Sequence, residues 1–281
     1  MRRIFQCNLL AKPGVTQDQW VSRIARNPVL NLAAGAPHLS AQQPRLVGRM
    51  NARNRPEVRS AEDVYGHLFT AIVDQRLLPG TKLTEFALVE TFGVGRRVVG
   101  AALQRLAWEG LLVAFANRGT FVAAPDADEV REIFAARIAI EGGTTEAVAR
   151  AADPAAIARL SDNLAQERRL REEGRIREAI HLSGGFHRLM AELSGNRILA
   201  QQVRLLVART SLVLNLFENR DGLSGWHDHH DDLVNLCREG KVEPAVALMR
   251  EHIRELEGSL ALDRRRPVSF DMVGVFAIEP S

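Results

Sequence analysis

At 281 residues and 46% apolar composition, the chain is long enough for two domains of ordinary size, each with its own core. Cys7 and Cys237 lie in unlike contexts with no CxxC partner, which argues against a disulfide framework and for a reducing compartment. No apolar run is long enough to cross a membrane, and Lys12 and Pro13 end the short one after Arg2 and Arg3, so neither a transmembrane helix nor a secretory signal is expected and the location reads as cytoplasmic.

Charge is spread unevenly along the chain. Residues 1–60 hold ten Arg and Lys against Asp18 and Glu57, a net of +8. Residues 61–125 balance six against six, and residues 126–281 hold 21 basic and 26 acidic residues, a net of −5. The first stretch is punctuated by Pro13, Pro28, Pro37, Pro44 and Pro56 and has no sustained apolar period. It reads as a disordered basic extension with one short helix around Gln17–Arg26, either a passive tail or an arm that grips phosphate.

From Ala61 the pattern changes. Val64, Leu68, Ile72 and Val73 recur at helical spacing after Ser60, a good N-cap. Pro79-Gly80 ends that segment in a turn, because Pro79 lacks an N–H and Gly80 accepts positive φ. Thr84 opens a short helix through Leu88 and Val89, Gly93-Val94-Gly95 turns the chain, and Arg96 to Trp108 is helical again until Gly110 stops it. Leu111–Phe115 and Gly119–Ala123 flank a turn and predict a small hairpin. Helix, helix, turn, helix, hairpin is the order of a winged helix-turn-helix, here over residues 61–125.

Beyond Asp126 the pattern is helical, with breaks at Asp153-Pro154, Glu173-Gly174, Ser194-Gly195-Asn196, Asn219–Gly225 and Gly240. About six helices of 18–25 residues follow, an all-α bundle over residues 126–262. The tail, residues 263–281, shows no period. The predicted fold class is therefore mainly α, an N-terminal winged helix-turn-helix plus a C-terminal helical bundle.

A helix-turn-helix puts the N-terminus of its second helix against base edges, and here those residues are Arg96 and Arg97. Their guanidinium groups can contact guanine bidentately or grip phosphates at the helix end. Lys82, Arg105, Arg118 and Gly119 complete the expected DNA-contacting set, the last two at the wing tip.

The residues also carry a resemblance to the GntR family of bacterial regulators. Pro79-Gly80-Thr81-Lys82-Leu83-Thr84-Glu85 resembles its PG-x-x-L-x-E turn, and Arg105-Leu106-Ala107-Trp108-Glu109-Gly110-Leu111 its R-L-x-x-E-G-L segment. Asn117-Arg118-Gly119-Thr120-Phe121-Val122 is similar to its wing. Phe92 to Leu103 occupies the place of the family's recognition segment, with departures: Gly95 stands where a Ser is usual, Val98 where a Pro is usual, and Gly100 where an Arg is common. A cap and a contacting side chain are thereby lost, and Gly100 costs about 1 kcal/mol of helix stability relative to alanine. Arg97, where the family often has Thr, restores charge. The resemblance implies DNA binding with an altered affinity or target.

Residues 127–262 resemble the FCD ligand-binding domain that follows the winged helix in the FadR-like branch of that family. Val130, Ile133, Arg137, Ile140 and Glu141 are similar to its opening helix, and Phe186-His187 with Ser194-Gly195-Asn196 to its F-H…S-G-N element; His230 through His252 follow its last two helices. The resemblance implies that His187, His230 and His252 hold a divalent metal, zinc or nickel, in the bundle. The family's fourth ligand is an Asp one turn before the first His, and Ser183 stands there, so the site would be a weaker three-His one. His181, His227 and His229 are expected to be exposed.

Arg137 is read as the group that pairs with an effector carboxylate or, equally, as half of a salt bridge with Glu141; Arg209 is a second effector-binding candidate. Gly184-Gly185 either enlarges a pocket or softens its helix. The function that results is a dimeric, ligand-responsive regulator of operator DNA that senses a small organic acid. Two other readings stand beside it: a degenerate regulator without sequence-specific DNA binding, and a metal-dependent enzyme built on the three histidines.

Overall fold

Ser60 starts the described helical structure as a capping box: its Oγ accepts from Asp63 N at 3.1 Å while Asp63 Oδ2 accepts from Ser60 N at 2.8 Å. The computed structural model describes residues 58–115, 119–217 and 229–263. The reading of residues 1–57, including the helix at Gln17–Arg26, lies outside them, as do Arg118, His227 and the tail from 264.

Helix α1 (Ala61–Val73) buries Val64, Leu68 and Ile72 completely. After Pro79-Gly80 the chain enters β1 (Lys82–Leu83), then α2 (Glu85–Phe92), capped by Thr84, and α3 (Arg96–Trp108). Strands β2 (Leu112–Phe115) and β3 (Gly119–Val122) form the wing, and the sheet order is β1-β3-β2, all antiparallel. Strand β1 is not foreseen by the sequence, which shows only a turn there. Two residues are too short for an alternation signal, and the strand exists because β3 offers it a partner.

Six helices follow: α4 (Ala127–Ala151), α5 (Pro154–Glu172), α6 (Ile176–Leu193), α7 (Arg197–Phe217), α8 (His230–Arg238) and α9 (Val242–Gly258). The expected length of 18–25 residues fails for α8, with nine, and narrowly for α9, with 17. The breaks at Asn219–Gly225 and Gly240 leave too few positions between them for an α8 of 18 residues. Asp126 and Asp153 cap α4 and α5, and Pro154 occupies the first turn of α5, where its missing N–H costs nothing. Helix α4 packs against α6, α7, α8 and α9, and α5 packs against α6 and α8.

Helix α7 belongs to both halves of the molecule. Ala208 and Leu212 lie in the same buried cluster as Leu68, Ile72 and Leu106 of the winged helix, while Val213 and Leu216 lie in the bundle core. Arg204 reinforces the joint. Its guanidinium carbon lies 3.9 Å from the Phe69 ring centre, and Nη1 donates to the Tyr65 hydroxyl at 3.1 Å. Tyr65 in turn donates to Glu109 Oε2 at 2.7 Å, just past the end of α3. Burial is the first reason that the Tyr65 phenol is pushed up to about 12, and it remains a donor.

Candidate functional site

His187 on α6, His230 at the start of α8 and His252 on α9 converge in the bundle core. The three Nε2 atoms form a near-regular triangle, with edges of 3.4 Å (His187–His230), 3.2 Å (His230–His252) and 3.3 Å (His187–His252). All three residues are buried, His230 and His252 completely. A tetrahedral ion with metal–nitrogen bonds near 2.0–2.1 Å needs nitrogens about 3.3 Å apart, so the donor set fits such an ion as it stands.

The protonation states suit the same purpose. Burial pushes the His187 imidazole down to about 4, helped by Arg137 and His230 against the pull of Glu141. Burial also holds His252 well below the usual imidazole range, with His230 and His187 adding to it. Neutral imidazoles at neutral pH present lone pairs rather than protons.

A carboxylate behind His187 sets its orientation. Glu141 Oε2 lies 2.6 Å from His187 Nδ1, which places the proton on Nδ1 and the lone pair on Nε2. The other oxygen of Glu141 accepts from Arg137 Nε at 2.6 Å, and Arg137 Nη1 donates to Thr210 at 3.4 Å. Burial alone would raise the Glu141 carboxyl, but Arg137 and then His187 outweigh it and hold it down to about 2. Glu167 on α5 lies behind His230, its Oε2 3.8 Å from His230 Nδ1 and outside hydrogen-bond reach, while Arg171 grips Oε1 at 2.7 and 3.1 Å. Sequence reasoning missed Glu167. Its signal was present, since it falls on the apolar stripe of Ile157, Leu160, Leu164 and Leu170 and is buried with them.

These shifts predict acid sensitivity of the metal-free chain. Unfolded, His187 takes up a proton near its ordinary 6.5; folded, it resists until about 4, so the stability it contributes is present above pH 6.5 and lost as pH falls toward 4. Glu141 acts lower, its contribution complete above 4.5 and lost toward 2. Melting temperatures of chelator-treated protein should fall from pH 7.5 to pH 5. A flat or rising trend would contradict the buried, neutral imidazole.

Ser183 is buried and lines a cavity of about 40 Å³ in water-centre volume, which also meets His187, Arg137 and Thr210. That is room for roughly three or four waters, or one small acid. Val73 and Gln75 of the winged helix form part of its wall. Of the two readings for Arg137, the structure contains the salt bridge to Glu141, while the residue also borders this cavity.

Several expected positions need correction. Arg209 does not reach the cavity: its guanidinium lies against Gly110, where an added Cβ would come within 3.6 Å of it. Helical phase explains this, because Arg209 faces the winged helix with Ala208 and Leu212 while Thr210 faces the bundle. His181 is half-buried rather than exposed, with Nδ1 2.8 Å from Asp74 at the end of α1, and His229 is half-buried with Nδ1 3.7 Å from Glu255. Both lie at joints between elements that the sequence does not show as neighbours.

On the DNA-reading side, Arg96 and Arg97 are exposed at the start of α3, and Gly95 makes no side-chain cap. Gly119 begins β3 at φ 101°, with Lys82 beside it, its Nζ 5.8 Å from the Phe121 ring centre. Arg105 is engaged within the fold: it lies 3.7 Å over the Tyr65 ring, bonds Glu62, and donates to Glu109 at 3.2 Å. Those contacts brace α3 against α1, although Arg105 remains exposed.

A winged helix-turn-helix on an all-α bundle with a buried imidazole triad defines a sensor-linked regulator architecture. Residues 60–122 match the family described as "Bacterial regulatory proteins, gntR family", and residues 132–255 match the FCD domain. An HTH-type transcriptional regulator from an unstable DNA locus of Streptomyces ambofaciens is 32% identical over 197 residues, 68% of this chain and 81% of that one. The transcriptional repressor RspR of Escherichia coli is 24% identical over 200 residues, 71% of this chain and 88% of its own. Among solved structures, a GntR regulator from Rhodococcus sp. RHA1 shares the fold at TM-score 0.62 and 22% identity, covering 70% of this chain and 95% of that one. The chain belongs to the GntR family of bacterial transcriptional regulators, with an FCD domain as its second part. Its relatives are regulators rather than enzymes.

Proposed function

We propose that this regulator binds a two-fold operator as a cytoplasmic homodimer, through the N-terminus of α3 and the wing, and that a small carboxylate sensed beside a divalent zinc or nickel ion tunes its grip on DNA. The observation that carries the sensing half is the Nε2 triangle of His187, His230 and His252, whose 3.2–3.4 Å edges suit a tetrahedral ion. When bound, such an ion offers an open position to a carboxylate oxygen. The protein's own part is to keep His187 and His252 neutral by burying them, to aim His187 through Glu141, and to bring Ser183 and Thr210 to the cavity wall. Helix α7 supports the link to DNA: Thr210 borders the cavity while Arg204, Ala208 and Leu212 of the same helix engage the winged helix. An effector that favours one setting of α7 would thereby shift the reading heads. Among the described residues no helix is long and apolar enough to cross a membrane.

Selection of DNA from a random pool by the full chain tests the reading half. Enrichment of a pseudo-palindromic motif is expected. Arg96→Ala or Arg97→Ala should then weaken binding by about 1–3 kcal/mol where the side chain reads a base, or lower the salt dependence by one contact where it holds phosphate. Absence of any motif at low and moderate salt favours the second reading, a degenerate regulator, which rests on the uncapped Gly95 and on Gly100 in α3.

A further inference from the structure

Arg177, His181, Gly184 and Arg188 recur at i, i+4, i+7 and i+11, so they share one face of α6, and all four border the cavity. No carboxylate residue lines that cavity, whereas Arg137, Arg177, His181 and Arg188 do. Two of these four are already matched. Arg137 is bound to Glu141, and His181 to Asp74.

Arg188 is different. Its Nη1 is buried and has no hydrogen-bond partner. The guanidinium folds back over Gly184 and Gly185, where an added Cβ would stand in ordinary contact with it, 3.5 Å from Nη1 and 3.6 Å from Nη2 respectively. At Gly184 that Cβ would also come within 3.2 Å of Val207, so the glycine lets α6 and α7 approach closely. Burial depresses the Arg188 pKa, with Arg204 adding to it, despite the favourable charges of Glu192 and Asp74. A buried guanidinium nitrogen without an acceptor is costly unless an anion completes it.

We propose that Arg188, supported by Arg177, forms an anion subsite at the seam between α6 and the end of α1, so that the effector is a two-ended acid carrying a second carboxylate. The assignment rests on the cavity being the effector site. It specifies the chemical class, a small dicarboxylate, and explains how occupancy is felt at the winged helix. The second carboxylate would lie in a cavity whose wall includes Val73 and Gln75, beside the His181–Asp74 pair. Gln75 already adopts a left-handed φ of 57°, a conformation held only by its surroundings.

Calorimetric titration of the full-length, metal-loaded chain with succinate and with acetate, at matched ionic strength, decides it. Succinate should bind wild type about tenfold or more tightly than acetate, a charge-assisted pair's worth. Arg188→Gln should bring succinate down to the acetate affinity and leave acetate unchanged, with Arg188→Lys retaining part of the preference and Arg177→Gln losing part. Acetate binding with no succinate preference in wild type, or a preference that survives Arg188→Gln, overturns the subsite but leaves the effector reading intact. Failure of both acids to bind overturns both.

Discussion

Replacing His252 with alanine should reduce metal affinity by at least about a hundredfold, and elemental analysis of the purified variant should find far less than one ion per chain. The size follows from the geometry. Each Nε2 stands 3.2–3.4 Å from the other two, so all three imidazoles address one point and none is peripheral. Losing a carboxylate that merely orients a metal-bound histidine typically costs 10–100-fold, and losing an imidazole removes the bond itself. Only two protein donors would remain, because Ser183 supplies a hydroxyl at the position where the family resemblance places a carboxylate. The converse substitution, Ser183→Asp, should tighten binding by adding a charged oxygen donor. Melting temperatures with and without zinc provide a second readout, since an ion that binds only the folded chain raises its stability. One ion per chain at wild-type affinity in His252→Ala would remove the basis for a three-histidine site.

The legible parts of this protein were those governed by local physics. Ser60, Thr84, Asp126 and Asp153 cap helices whose apolar period is plain in the sequence, and Pro79-Gly80 and Gly110 turn the chain where turn chemistry requires it. The three histidines were legible through the family resemblance, because nothing in their spacing reveals that α6, α8 and α9 converge. What escaped was set by contacts between distant segments. Strand β1 needs β3, and His181 needs Asp74, 107 positions earlier. Arg209 and Thr210 are neighbours in sequence, yet one faces Gly110 and the other Arg137. Glu167 is the instructive omission: a carboxylate on an otherwise apolar stripe signals a buried partner, here His230 and Arg171.

The distribution of charge in the bundle also separates structural from sensing groups. Arg137 and Glu141 lie four residues apart on α4, both about 1% exposed, and each completes the other. Arg188 is half-buried, and its buried Nη1 has no such acceptor. The first pair holds the site in place before any ligand arrives, whereas Nη1 of the second group is left for a ligand to complete. Arg137 and Arg188 border the same cavity as His187, so one small acid can meet a preorganised histidine and an unpartnered guanidinium nitrogen together.

Replacing Glu141 with leucine should therefore destabilise the chain by about 3–5 kcal/mol, the cost of leaving a buried cation without its counter-charge. The carboxylate has two partners at 2.6 Å, Arg137 Nε and His187 Nδ1, and burial gives neither access to water. Equilibrium urea unfolding of the metal-free variant measures the loss directly as a shift in midpoint. The double variant Arg137→Met, Glu141→Leu separates charge from shape. With both charges removed and similar volume restored, most of the lost stability should return, and the coupling between the two sites should reach the kcal/mol range. Metal affinity should not recover with it, since His187 still lacks the carboxylate that fixes its tautomer; a deficit of roughly 10–100-fold is expected. A single variant within about 1 kcal/mol of wild type would show that the Glu141 carboxylate is dispensable, and the orientation of His187 would then need another cause.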